Sequence, residues 1–312
     1  IPFINHSFSL LPHSFSLYFL VILLLQMPPD FSWQAVLDKH LLIQWRIENG
    51  TKQMQIVNSD DGSPLPIPQV PLPNNIVGFR RITIAYIDQN VITFLGRFRR
   101  LFPVSSINLD IVTENLRIVE FVLFTIWPML GNSICLLELN KIVLHGLRQL
   151  APSILCDSPA LLYTTVDRVM PFVFPLGDNA NASDDQALTK WLLTPRPDGV
   201  PKLLNCNVNS VGENWFAAMD ELQNAFRIAS SPVSFRVFLG FPKRQIDIAV
   251  PFELNNEVTG EELTLRQIVP RHFVLTRCPI GWDHRNWQIV SALINARPNP
   301  IDIVIKDGEF DE

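Results

Sequence analysis

Glycine is scarce in this chain: 13 residues in 312, against 25 prolines. No Walker loop, GxGxxG fingerprint or GxSxG elbow occurs, so phosphate-cradling and hydrolase-elbow chemistry have no foothold. Charge is also sparse, at 18% of residues with a net value of −5, which removes any global electrostatic case for nucleic-acid binding. Only four cysteines are present, Cys135, Cys156, Cys206 and Cys278. None forms a CxxC pair, which excludes zinc-ribbon and thioredoxin-type readings. Cys135, Cys206 and Cys278 fall in strand-like phrases (ICLLEL, LLNCNV, FVLTRC), where buried free thiols fill core space. A reducing compartment, cytoplasmic or nuclear, fits that usage.

Catalytic groupings are missing too. The six histidines, His6, His13, His40, His145, His272 and His284, stand apart, with no HExxH or closely paired His and Cys. Asp283-His284 lies at a helix entry, where Asp is a routine cap. Asp184-Asp185 and Glu261-Glu262 are sequence neighbours, which do not face each other on a helix and point oppositely on a strand. Helix-start charge accounts for the first pair and a solvated turn for the second. Trp282 and Trp287, with Arg285 between, read either as a ligand-stacking pair or as a helix pinned to a sheet. The residues therefore name no catalytic, cofactor-binding or metal site, and the expectation is a non-enzyme with no cofactor.

What the chain does have is apolar residues, 47% of the total, ample for a large core. Four short apolar runs start at Ile82, Ile107, Ile134 and Leu161, at intervals of 25, 27 and 27 residues. A helix-patterned segment follows at least the first three. Such units are too small to bury their own apolar faces and must stack on neighbours. The expected fold class is α/β: leucine-rich-repeat-like stacked strand–helix units, followed by a β-rich α+β carboxy-terminal part.

The amino terminus carries a different signal. Leu17 to Leu25 (LYFLVILLL) is unbroken apolar sequence, preceded by a weaker run from Phe8. It is short against the ~20 apolar residues a spanning helix needs. It suits a signal core better, yet no Lys or Arg precedes it. The chain starts with Ile, and Met27 offers an alternative start. Residues 1–26 are thus a signal or anchor segment, making the protein secreted or membrane-tethered through residues 8–25, or they precede the true start. Three sequons, at Asn5, Asn49 and Asn181, do not decide between these.

Residues 27–77 form a second region. A helix-like stretch from residue 28 leads to Ile43, Trp45 and Ile47, which alternate as a strand does, and Asn49-Gly50 signals a hairpin to MQIV. Five prolines between Pro64 and Pro73 then spell an extended connector or a proline-recognition ligand.

The repeat region spans 78–200. RITIAYI is followed by the cap Asp88 and a helical stripe of Val91, Phe94, Leu95, Phe98 and Leu101, with Arg97, Arg99 and Arg100 off it. Leu116, Val119, Leu123 and Ile126 predict a helix ending near Trp127-Pro128. Ile142 to Leu150 predicts another, and Ser183 to Gln186 is a capping box ahead of Trp191 and Leu193. Residues 201–312 begin with a strand at Lys202–Val208. A capping box at Ser210–Glu213 and a stripe of Trp215, Met219, Leu222, Phe226 and Ala229 come next. Beyond Val233 lie β runs with a hairpin at Thr259-Gly260, a helix from Asp283 to Asn295, and a last strand at Ile301–Ile305 ahead of an acidic tail.

The phrases LPIPQVPLPNNIVGFRRITIAYIDQNVITFLGRFRRLF, WLLTPRPDGVPKLLNC, FRIASSPVSF, VPFELNNEVTGEELTLRQI and FVLTRCPIG resemble, as an ordered set over residues 38–312, the carboxy-terminal region of a large family of nematode F-box-type proteins. In that family an amino-terminal F-box hairpin docks on the Skp1-like adaptor of a cullin ubiquitin ligase, and the region after it is taken to recognise substrates. The resemblance implies a binding platform for a protein partner, of unknown identity, without bond-making residues. An F-box needs about forty residues of paired apolar helices, whereas PPDFSWQAVLDKHLL offers at most a fragment and LYFLVILLL stands where the rest belongs. Adaptor binding is therefore expected only if an F-box is present.

Overall fold

The computed structural model describes residues 40–48, 51–59, 62, 64–65, 81–98, 107–169, 187–208, 214–241, 250–295 and 301–310. The apolar run 8–25, Met27, the stretch 28–39, most of the proline connector, Arg99, Arg100, Leu101 and both capping boxes lie outside them. Among the described residues no helix is long and apolar enough to cross a membrane.

Alternation of apolar residues produces the strands. β1 (His40–Glu48) and β2 (Thr51–Asn58) pair antiparallel, Glu48 opposite Thr51, which is the hairpin that Asn49-Gly50 signals. A two-residue β3 (Pro64–Leu65) sits at the sheet edge, where proline costs no ladder hydrogen bond. β4 (Arg81–Ile87) is followed by α1 (Gln89–Phe98), whose entry is capped by Asp88 Oδ1 accepting from Val91 N at 2.9 Å. β5 (Ile107–Val112) leads to α2 (Leu116–Phe121).

The second helix does not stop at Trp127-Pro128. A π-helical stretch, Val122–Ile126, joins α2 to α3 (Trp127–Leu130), and Trp127 N donates to Val122 O. The widened turn makes room for the ring of Pro128, which enters the next turn near its start, where a missing N–H is tolerated. Leu116, one of the four residues whose spacing predicts this helix, is exposed, while Ile118 and Val122 are buried beside Val119, Leu123 and Ile126.

β6 (Ile134–Leu139) and α4 (Lys141–Leu150) follow as the periodicity predicts, with Asn140 capping α4 through Val143 N. At Gly146 a Cβ would meet Val119 Cγ1 at 2.7 Å, so glycine permits the close approach of α4 to α2. β7 is Tyr163–Val169, two residues later than the run from Leu161 suggests. After α5 (Ala187–Leu193) come β8 (Lys202–Val208), α6 (Asn214–Ile228) and β9 (Phe235–Gly240). Trp215, Met219, Leu222 and Phe226 are all buried. Trp215 meets Phe241 edge-on at 5.3 Å, and Phe241 meets Phe273 likewise at 5.6 Å, which ties α6 to the sheet. β10 (Phe252–Asn256), β11 (Glu261–Val269) and β12 (His272–Pro279) form a meander, its first turn ending at Gly260 with φ +69°. α7 (His284–Asn295) precedes β13 (Ile301–Phe310), which runs five residues past the expected Ile305.

All thirteen strands among the described residues join one mixed sheet in the order β10-β11-β12-β9-β8-β7-β6-β5-β13-β4-β1-β2-β3. From β1 to β9 the central block is parallel, and antiparallel strands extend it at both ends. Pairing passes without a break from β7 to β8, across residue 200. β13 inserts between β4 and β5, so residues from the 201–312 segment complete the start of the 78–200 segment.

From β4 to β9 each successive strand lies further along in the same direction. With right-handed crossovers, that places the connecting helices on one face. Burial agrees. Ile82, Ile303, Leu109, Leu137, Leu204 and Val237 point into one large core with α1 to α6. The opposite face carries Thr83, Val304, Asp110, Glu138, Thr165, Asn205 and Phe238 at paired positions.

Candidate interaction face

That second face is the feature to which function can attach. Among its named residues Val304 is buried, Glu138 is exposed and the others are half-buried. α7 packs on it: Trp287 and Val290 meet Leu203 and Cys278 in a small separate cluster, with Val200 and Trp282 against its side. α7 enters with Asp283 Oδ1 accepting from Arg285 N at 2.8 Å and Asn286 N at 3.2 Å.

An acidic strip occupies the centre of the face. Asp302 accepts from Asn108 Nδ2 at 2.8 Å and pairs with Arg81 at 3.3 Å. Asp110 and Glu138 lie opposite one another on β5 and β6. Burial raises the pKa of Asp110, and Asp302 adds to the rise, while Lys306 and Arg81 oppose it. Burial raises Glu138 as well, with Asp110 and Asp302 in support. A carboxyl whose folded pKa exceeds the unfolded one adds stability at low pH that is lost as pH rises through the window between the two values. Asp110→Asn is therefore expected to raise the melting temperature at pH 7. It is also expected to flatten the gain seen on acidification through the carboxylate range, as a set of thermal melts from pH 7 to pH 4 will show.

At the β9–β11–β12 end, sheet and α7 enclose a groove of about 400 Å³. Arg236, Phe238, Thr264, Thr276 and Cys278 contribute from the sheet, Arg266 to Ile268 from one rim, and Trp282, His284 and Trp287 from α7 and its entry. The guanidinium of Arg236 lies 3.7 Å from the Trp287 ring centroid, and Trp282 meets Trp287 edge-on at 5.4 Å. Burial lowers the Arg236 pKa to about 10, so the group stays cationic at neutral pH. Cys278 donates its thiol to Glu262 Oε1 at 3.6 Å. Burial foremost, then the Glu262 charge, pushes that thiol up to about 12. A thiol so held supplies no thiolate nucleophile.

The sequence expectations divide here. Trp287 is a buried pin for α7, and the cation beside it is Arg236; Arg285 is exposed. His145, His272 and His284 are exposed and lie on α4, β12 and α7; only His284 reaches the groove, where its Nε2 contacts Gln288. No group of three or more potential metal ligands assembles among the described residues. The four cysteines are free, with Cys135, Cys206 and Cys278 buried in β6, β8 and β12.

Glu261 corrects the reading of Glu261-Glu262 as a solvated turn. It is buried against Arg277, and only Glu262 faces the groove. The cause is strand alternation: two neighbours on β11 point to opposite faces. Sequence reasoning also passed over Arg236. Its signal was the partner two residues on, since Phe238 shares its face and an aromatic there argues against a merely solvated surface.

No protein-family model matches the chain. No curated protein and no solved structure gives a match either.

Proposed function

We propose that this protein is a non-enzymatic interaction module whose second sheet face, opposite the main core, holds a protein partner. The observation that carries the reading is that face itself: a row of cross-strand positions from Thr83 to Phe238, backed by a fully buried opposite side. A sheet with α1 to α6 on one side and α7 at one end of the other presents a broad platform, the design that stacked leucine-rich-repeat-like units use. Serial advance of β4 to β9 supports that kinship, with β13 as an added member. The resemblance of the ordered phrases to those of F-box-type proteins is what supports a substrate-recognition role within a ubiquitin ligase system. Free, buried thiols support a cytoplasmic or nuclear setting.

Two open-face variants test the reading: Glu138→Arg and Thr165→Arg, at paired positions on β6 and β7. Each is expected to cut recovery of proximity-crosslinked partners by about tenfold while moving the melting temperature by less than about 4 °C. Glu120→Arg and Gln149→Arg, on the helical side, are expected to leave recovery intact. Loss of partners with the helical variants alone overturns the proposal. The Skp1-like adaptor, added to the full chain, is expected to bind weakly or not at all.

A further inference from the structure

Arg236 differs from the arginines that hold ion pairs. Arg81, Arg196, Arg266 and Arg277 each pair with a carboxylate, on Asp302, Asp198, Glu253 and Glu261. Arg236 pairs with none among the described residues, and its Nε is buried without a hydrogen-bond partner. A buried N–H left without an acceptor is costly and calls for an explanation. The Arg236 guanidinium carbon lies over the Trp287 ring, a cation–π contact that helps hold the group in place. Arg236 itself lines the groove.

The groove walls define what else a ligand carries. Phe238, Ile268 and Trp282 supply apolar surface beside the cation. Ile268 is 59% exposed, at a register shift between Gln267 and Val269 that re-aims the strand. Glu262 is engaged by the Cys278 thiol and Asp283 by the first turn of α7. Both carboxylates disfavour a ligand with several negative charges. The volume suits two or three residues and no folded element.

We infer that this groove receives one side-chain carboxylate of an extended peptide segment in a protein partner, bound by Arg236, with a neighbouring apolar side chain set against Phe238, Ile268 and Trp282. The inference rests on the proposed interaction role and gives it a chemical class: a single Glu or Asp next to an aromatic or branched apolar residue. Peptide N–H groups beside that carboxylate meet Glu262 and Gln267 as acceptors on the walls.

The test uses the full chain and two dye-labelled, end-capped peptides, Gly-Phe-Glu-Leu-Gly and its Gln counterpart, followed by fluorescence polarisation. The Glu peptide is expected to bind about tenfold tighter than the Gln peptide, with added salt narrowing the gap. Arg236→Gln is expected to bring the two peptides within about twofold of each other. Gln267→Glu leaves Arg236 and the core untouched, and is expected to weaken the Glu peptide alone by about threefold or more. Equal binding of both peptides to the native chain overturns the inference, as does discrimination that survives both variants. Absence of any binding at about 5 mM peptide overturns it as well. Displacement of the Glu peptide by N-acetylphenylalanine at equal affinity also overturns it, since the groove then reads a chain terminus. Should the peptide arms fail while Glu138→Arg still abolishes partner recovery, the groove assignment falls and the interaction face stands.

Discussion

A chain ending at residue 300 is expected to lose cooperative thermal unfolding. The deletion removes β13, which is hydrogen-bonded on one side to β4 and on the other to β5. Ile301, Ile303, Val304 and Ile305 are all buried. At about 1.5–3 kcal/mol for each buried apolar side chain, the four contribute roughly 6–12 kcal/mol. Total folding stability is itself about 5–15 kcal/mol, so the loss is of the same size as the whole. Two parallel strands are also left with open edges at the centre of the sheet, an invitation to aggregation. Circular dichroism melts of the full and shortened chains provide the check. A sigmoidal melt for the shortened chain, within a few degrees of the full one, contradicts the central placement of β13.

Arg277→Met is expected to destabilise the fold by about 3–5 kcal/mol, because it strands Glu261 as an unpaired buried charge. Arg277 reaches Glu261 Oε2 through Nε at 3.1 Å and Nη2 at 2.9 Å, and Nη2 also donates to Ser231 O at 3.1 Å. Glu261 Oε1 in turn accepts from Val233 N at 2.7 Å. The pair therefore ties the segment between α6 and β9 to the β11–β12 hairpin. Nearby, Asn256 Nδ2 donates to Phe226 O at 2.7 Å and to Ala229 O at 3.0 Å, closing the end of α6 onto the same meander. Replacing both partners, as Glu261→Leu with Arg277→Met, is expected to recover part of the loss. Recovery stays incomplete, because Val233 N keeps no acceptor and a buried orphan donor costs about 1–3 kcal/mol. Urea unfolding of the single and double variants gives the comparison. A single variant within about 1 kcal/mol of the parent would mean that water reaches Glu261.

Local chemistry made much of the fold legible. β4, β5, β6 and β8 match their apolar runs because alternation reports a strand with one buried side, whatever lies beside it. α1, α4 and α6 follow from stripes at helical spacing, and Asp88 and Asp283 cap as short polar residues do. What stayed hidden depends on distant partners. Nothing within IDIVI says that it pairs with strands formed some two hundred residues earlier, or that pairing continues to Phe310. Pro128 is a stop signal by its own chemistry, and only a π-helical turn upstream lets the helix pass it. Glu261 reads as solvated until Arg277 arrives from the next strand. The candidate groove was half visible: the two tryptophans drew notice, while Arg236 looked like the polar half of an alternating strand. Its meaning comes from α7 folding over it.

The sheet order is the claim on which the open face depends, and an engineered disulfide reads it directly. With Cys156, the half-buried native thiol, changed to serine, two pairs are compared: Thr83→Cys with Val304→Cys, and Thr83→Cys with Asp110→Cys. Thr83 and Val304 are register partners on the open face, and Val304 separates Thr83 from Asp110. One strand spacing is about 4.8 Å and two are about 10 Å, beyond the ~7 Å Cα limit for a disulfide. Mild oxidation is expected to crosslink the first pair and leave the second reduced. Crosslinking of Thr83→Cys with Asp110→Cys, and none to residue 304, would place β4 directly against β5 and contradict the architecture.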